Sequence, residues 1–164
     1  MFRETFVPAA LAFTLLAAPA HAMDKTLKMA TLDMEEGAST LFVTPEGRSL
    51  LIDTGSPHRV QQPWGLDGAS TGADRIVAAA KSLGVRKIDY VIVTHYHGGH
   101  VGGVIDLLAR MPVGTFVDHG PNREIPDLTL TPETPANHQA RSTAENYRHY
   151  LEAIKGHRHM VVKP

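Results

Sequence analysis

The feature that most constrains this chain is an apolar run that ends in histidines. Ile88 to Thr94 is rich in β-branched and aliphatic residues, the composition of a strand buried on both faces. It leads directly into His95-Tyr96-His97-Gly98-Gly99-His100. In extended backbone residues i and i+2 project to the same side, so His95 and His97 can reach one ion. His100, past the turn at Gly98-Gly99, can point to a neighbouring position. Neutral imidazoles in this arrangement suit Zn2+ and related divalent ions.

The flanking segments read as an α/β chain. Residues 27–34 alternate as a half-buried strand, Glu35-Glu36-Gly37 makes a turn, and Ser39 to Val43 forms a second strand. Pro45-Glu46-Gly47 joins it to Ser49–Ile52 as a hairpin. Gly55 to Gly72 reads as a long surface loop. Residues 73–83 predict a helix with Ile76, Ala79, Ala80 and Leu83 on one face, ended by Gly84. After the histidines come a short helix from about Val101 to Met111 and a strand at Val113–Val117. His119 to Ala140, with four prolines, reads as irregular, which puts Asp118 and His119 in a surface loop. Ser142-Thr143-Ala144-Glu145 has the form of a capping box opening a helix with Tyr147, Tyr150, Leu151 and Ile154 on one face. Gly156-His157-Arg158-His159 reads as the end of that helix, and Met160-Val161-Val162 as the beginning of a further strand. A strand so cut at its start leads to the expectation that the polypeptide continues beyond Pro164.

Composition narrows the chemistry. Apolar residues make up 43% of the chain, enough for a core, and the formal net charge of −1 with no basic stretch argues against a nucleic-acid partner. A small-molecule substrate is the expected partner. There is no cysteine, so disulfides and thiolate ligands are excluded, and any metal must be held by histidine, carboxylate and water. The first 22 residues read as a secretory signal: Arg3 near the start, an uncharged stretch from Phe6 to Ala18, then Ala20-His21-Ala22. Cleavage is expected after Ala22. That leaves a domain over 23–164, periplasmic or secreted, with no membrane attachment.

Val93-Thr94-His95-Tyr96-His97-Gly98-Gly99-His100-Val101-Gly102-Gly103 resembles the second signature motif of the metallo-β-lactamase superfamily, T-H-x-H-x-D-H-x-G-G. Leu51-Ile52-Asp53-Thr54-Gly55 resembles the first motif. Leu32-Asp33 with Gly37-Ala38-Ser39 is similar to the branch related to ComEC-type competence proteins. The resemblance implies about the N-terminal half of a four-layer αβ/βα sandwich, with a mixed sheet and helices on one face. It implies His95 and His97 as ligands of a first zinc and His100 as a ligand of a second. The catalytic apparatus would include Asp53, orienting the histidine-bearing loop. Hydrolysis by a metal-bound hydroxide follows from the same resemblance. Gly99 departs from the pattern, because it stands where the family has a metal-ligating aspartate, and the family's later motifs are not present. The alternative to a zinc-dependent hydrolase is therefore a remnant or binding module that keeps the fold.

Overall fold

The structure is a computed structural model that describes residues 25–57, 71–126, 129 and 134–163. The signal segment and most of the loop between Gly55 and Gly72 lie outside the described residues. The strands are β1 (Lys28–Thr31), β2 (Thr40–Val43), β3 (Ser49–Ile52), β4 (Ile88–Ile92), β5 (Val113–Asp118) and β6 (Arg158–Val161). They form one sheet in sequence order. β1, β2 and β3 are antiparallel neighbours, whereas β3, β4, β5 and β6 run parallel. The helices are α1 (Gly72–Ser82), α2 (Gly98–Val101), α3 (Val104–Leu108) and α4 (Pro135–Ala153).

Register explains where the core sits. Leu41, Leu51, Val91 and Phe116 are successive partners across β2 to β5, and all four are fully buried. They pack in one cluster with Ile76 and Ala80 of α1, Leu107 of α3 and Tyr150 of α4. Burying each large side chain in this row contributes about 1.5–3 kcal/mol. The next row, Ile52, Ile92, Val117 and Met160, belongs to the other face and is only partly covered, with Met160 55% exposed. Helices therefore cover one face of a mixed sheet, as expected for half of the sandwich.

Four expectations about elements need correction. The strand predicted over 27–34 shortens to Lys28–Thr31, because Met34 turns inward and packs against Gly55 and Gly72. The helix predicted from Val101 to Met111 is two short helices, α2 and α3, separated at Gly102-Gly103. A side chain at Gly103 would meet the Thr54 carbonyl at 2.2 Å, so this break lets the histidine loop lie against the segment after β3. Helix α4 begins at Pro135 rather than near Ser142, with Thr134 before it and proline at the first helical position. Ser142-Thr143-Ala144-Glu145 is thus mid-helix, and the capping box that does form is Thr71 with Asp74 at the start of α1. Finally, Gly156 at φ +82° ends the helix region and β6 starts at Arg158, so His159 lies on a strand.

Candidate functional site

Loops that follow parallel strands gather at the strands' C-terminal ends, where open α/β sheets bind ligands. Asp53 follows β3, the histidine loop follows β4, and Glu124 lies in the loop after β5. Asp53 is the hub of this rim. Its backbone adopts φ +59° and its amide donates to the Ile92 carbonyl at 2.8 Å, tying it to β4. With its side chain 5% exposed, Asp53 accepts the Thr94 amide on Oδ1 at 2.8 Å, the Thr94 hydroxyl on Oδ2 at 2.7 Å and His100 Nδ1 at 2.8 Å. The side chain spans to the next loop instead of closing a local turn before Gly55. Left-handed backbone is tolerated better by aspartate than by most residues.

These contacts define which nitrogen each imidazole offers. The Thr94 hydroxyl gives its one proton to Asp53, so towards His95 Nδ1, 3.0 Å away, it is the acceptor. His95 then carries its proton on Nδ1 and presents a lone pair at Nε2. His100, donating from Nδ1 to Asp53, also presents Nε2. His97 is turned the other way: its Nε2 donates to Glu124 Oε1 at 2.7 Å, which leaves Nδ1. Ring centroids of His95 lie 4.6 Å from His97 and 4.0 Å from His100. The His95 pKa is lowered from the ordinary imidazole value, first by burial and then by the neighbouring His100 and His97, with Asp53 and Glu124 opposing. Neutral rings with free lone pairs are the form a divalent ion requires.

The donor chemistry fits a divalent metal. Their focus on one point is not closed, however: among the described residues no group of three or more histidine, cysteine, aspartate or glutamate side chains stands in an arrangement that could hold an ion.

The sequence profile of the metallo-beta-lactamase superfamily matches residues 34–162. The chain belongs to the metallo-beta-lactamase superfamily. The lactamase-like protein nscB of Aspergillus fumigatus is 32% identical over 97 residues, covering 59% of this chain and 25% of that protein. A hydroxyacylglutathione hydrolase of Rhodopseudomonas palustris is 36% identical over 58 residues, covering 35% of this chain and 22% of the relative. The lactamase-like protein aptB of Emericella nidulans is 37% identical over 79 residues, 47% of this chain and 21% of its own length. The chain thus spans a quarter or less of the length of these curated relatives.

Within a metallo-beta-lactamase frame, Gly99 is the notable position. Its carbonyl accepts the Ala38 amide at 3.0 Å, which draws the turn after β1 over the histidine loop. A Cβ at residue 99 would stand 2.9 Å from Gly37 Cα, and a Cβ at Gly37 would collide with the Gly99 carbonyl. The two glycines are mutually required by this backbone contact. An aspartate restored at 99 would meet main chain, not an open socket.

Asp118 is not the surface group expected, whereas His119 is exposed as expected, and His159 lies on β6 and not at a helix end. The Asp118 side chain is 1% exposed and accepts the Tyr150 hydroxyl at 2.8 Å, His159 Nε2 at 2.7 Å and the Gly120 amide at 2.7 Å. It joins β5, β6 and α4. His119 instead stacks at the edge of Tyr96, 4.9 Å between centroids. Tyr96 itself is buried against Tyr147 and Tyr150, and its hydroxyl donates to the Gly120 carbonyl. Burial, then the Asp118 carboxylate, pushes the Tyr150 phenol well above its ordinary range, so it remains a donor. Glu124 and Asn146, which donates to the Tyr96 carbonyl at 3.2 Å, are the site residues that sequence reasoning missed. The parallel arrangement of β4 and β5 was the available signal, because it brings the loop after β5 beside the histidines.

Proposed function

We propose that this chain is the histidine-bearing part of an exported, zinc-dependent hydrolase. One observation carries the reading: three adjoining imidazoles at the end of β4, each with one nitrogen engaged by protein and the other free of hydrogen bonds among the described residues. His95 and His97 would hold a first ion and His100 a neighbouring one. Bound there, zinc would supply a hydroxide nucleophile by lowering the pKa of water to about 7. The chain's own part is to orient the rings through Asp53, Thr94 and Glu124. A relative named as a hydrolase supports bond hydrolysis as the reaction class. The segment from Phe6 to Ala18 supports export, with Met23 expected as the first residue of the mature protein by mass spectrometry.

Elemental analysis after exposure to zinc tests the site. The wild-type chain should retain zinc, and replacing both His95 and His97 with alanine should abolish retention; equal zinc in the double variant would refute the assignment. A second reading, a binding module without turnover, is favoured by Gly99 and its contact with Gly37. Zinc retention without hydrolysis of lactam, thioester or phosphodiester substrates by the full-length polypeptide would select it.

A further inference from the structure

We propose that Glu124 is the positioning residue for His97, and that Thr143 of α4 holds Glu124 in that task. The carboxylate bridges two elements: Oε1 receives His97 Nε2 at 2.7 Å, and Oε2 lies 3.0 Å from the Thr143 hydroxyl. Thr143 is fully buried and shares its proton between Glu124 and the Gln139 carbonyl, 2.9 Å away. The backbone of Glu124 is held as well, since its amide donates to Asn122 Oδ1 and its carbonyl accepts Asn122 Nδ2, both at 3.2 Å. A half-exposed glutamate with this much support is not a solvated loop residue.

The bond also decides what His97 can do. A ring held at Nε2 turns Nδ1 outward, the opposite nitrogen from the one that His95 and His100 present. Without Glu124 the ring could rotate about its two side-chain torsions and offer either nitrogen. Partners of this kind are worth about 10–100-fold in metal affinity where they have been removed. Glu124 stands behind the ring, on the side away from Nδ1, so it orients the donor and is not itself the donor.

The affinity arm of the test rests on the proposed zinc site, and the ring-proton arm does not. Zinc affinity of the 164-residue chain should fall about 10–100-fold in Glu124→Ala and stay within about threefold of wild type in Glu124→Gln, whose carbonyl can still accept Nε2–H. In the metal-free chain at about pH 8, above the ordinary imidazole range, the hydrogen-bonded Nε2–H proton of His97 should be visible by NMR in wild type and Glu124→Gln, and lost to exchange in Glu124→Ala. Thr143→Val should weaken both readouts and Thr143→Ser restore them. Affinity in Glu124→Ala within about twofold of wild type would overturn the proposal. So would a Gln variant as poor as alanine, which would make the carboxylate a ligand or a charge. If wild type binds no zinc, the zinc reading fails while the ring proton still decides this one: loss in Glu124→Ala alone supports it, and no change overturns it.

Discussion

The two carboxylates at this rim hold one histidine each, yet they are built differently. Asp53 is buried between adjacent parallel strands, in left-handed backbone, with three donors on two oxygens. Glu124 is 42% exposed, sits in a loop, and depends on a threonine from a helix that begins after a long sequence gap. The first is part of how β3 and β4 end, so fold and site share it. The second can be altered with little effect on the fold, so it is where orientation of the cluster can be tuned separately from stability.

Removing the rigid partner should produce the largest effect. Asp53→Ala leaves the Thr94 amide and hydroxyl without their acceptor and puts a Cβ-bearing residue with no local hydrogen bonding in left-handed backbone. Denaturant unfolding should register a loss of about 3–5 kcal/mol. Asp53→Asn should recover the backbone term but not the site, because its amide group would face two donors at Oδ2. Stability equal to wild type in Asp53→Ala would erase the distinction between the two corners.

Next in size is the contact between Gly37 and Gly99. Gly99→Ala and Gly99→Asp both place a Cβ 2.9 Å from Gly37 Cα, and each should cost about 1–3 kcal/mol. Zinc affinity measured by calorimetry should not rise in Gly99→Asp, because the turn must be displaced before a carboxylate can be seated. A tighter-binding aspartate variant would mean that this turn yields easily and that the rim is less rigid than its hydrogen bonds imply.

Smaller still is the cost to the fold of losing the tunable partner. Glu124→Ala should change unfolding free energy by about 1 kcal/mol or less, in keeping with a hydrogen bond to a partly exposed carboxylate. A loss as large as that of Asp53→Ala would make the two corners equivalent.

An effect of similar size concerns the helix behind the rigid corner. Asp74 closes the capping box with Thr71 and meets Arg110 at 2.8 Å, and these hydrogen bonds, Thr71 first, lower its pKa from 3.8 to about 2. A carboxylate depressed in the folded state stabilises above its unfolded value, and that stabilisation is lost as pH falls through the folded one. The stability difference between wild type and Asp74→Asn should therefore be constant above about pH 4 and vanish as pH falls towards 2. Thr71→Ala should lower the melting temperature by about 2–4 °C.

Legibility in the sequence followed the same division. At the Asp53 corner periodicity announces the β-branched run and the hairpin, while the part of Asp53 itself comes only from the resemblance of Leu51-Ile52-Asp53-Thr54-Gly55 to the family's first motif. The profile match over residues 34–162 extends that agreement to the family. What could not be read depended on distant pairing. Prolines at 132 and 135 looked like loop punctuation, although Pro135 starts a helix, where a missing amide costs nothing. Ser142 fitted a cap by pattern but lies mid-helix, and the hydroxyl of its neighbour Thr143 is engaged by Glu124 and Gln139. Asp118 followed a predicted strand and read as a loop residue, because nothing in its neighbourhood reveals that Tyr150 and His159 close over it. Glu124 had no periodic context at all.

Tyr96 has a consequence for how an ion would arrive. It sits between His95 and His97, yet points into the protein like a peg, with aromatic rings around it and its hydroxyl tied to the chain after β5. The loop is thereby nailed down from beneath. Small zinc domains are unfolded until the metal organises them; here the loop's main chain has protein contacts of its own, with His100 and Gly99 carbonyls accepting the Thr54 and Ala38 amides. An ion binding at rings already held by Thr94, Glu124 and Asp53 would lose little free energy to ordering the backbone. If zinc binds there as proposed, chelation should strip it while the far-ultraviolet circular dichroism stays as it was.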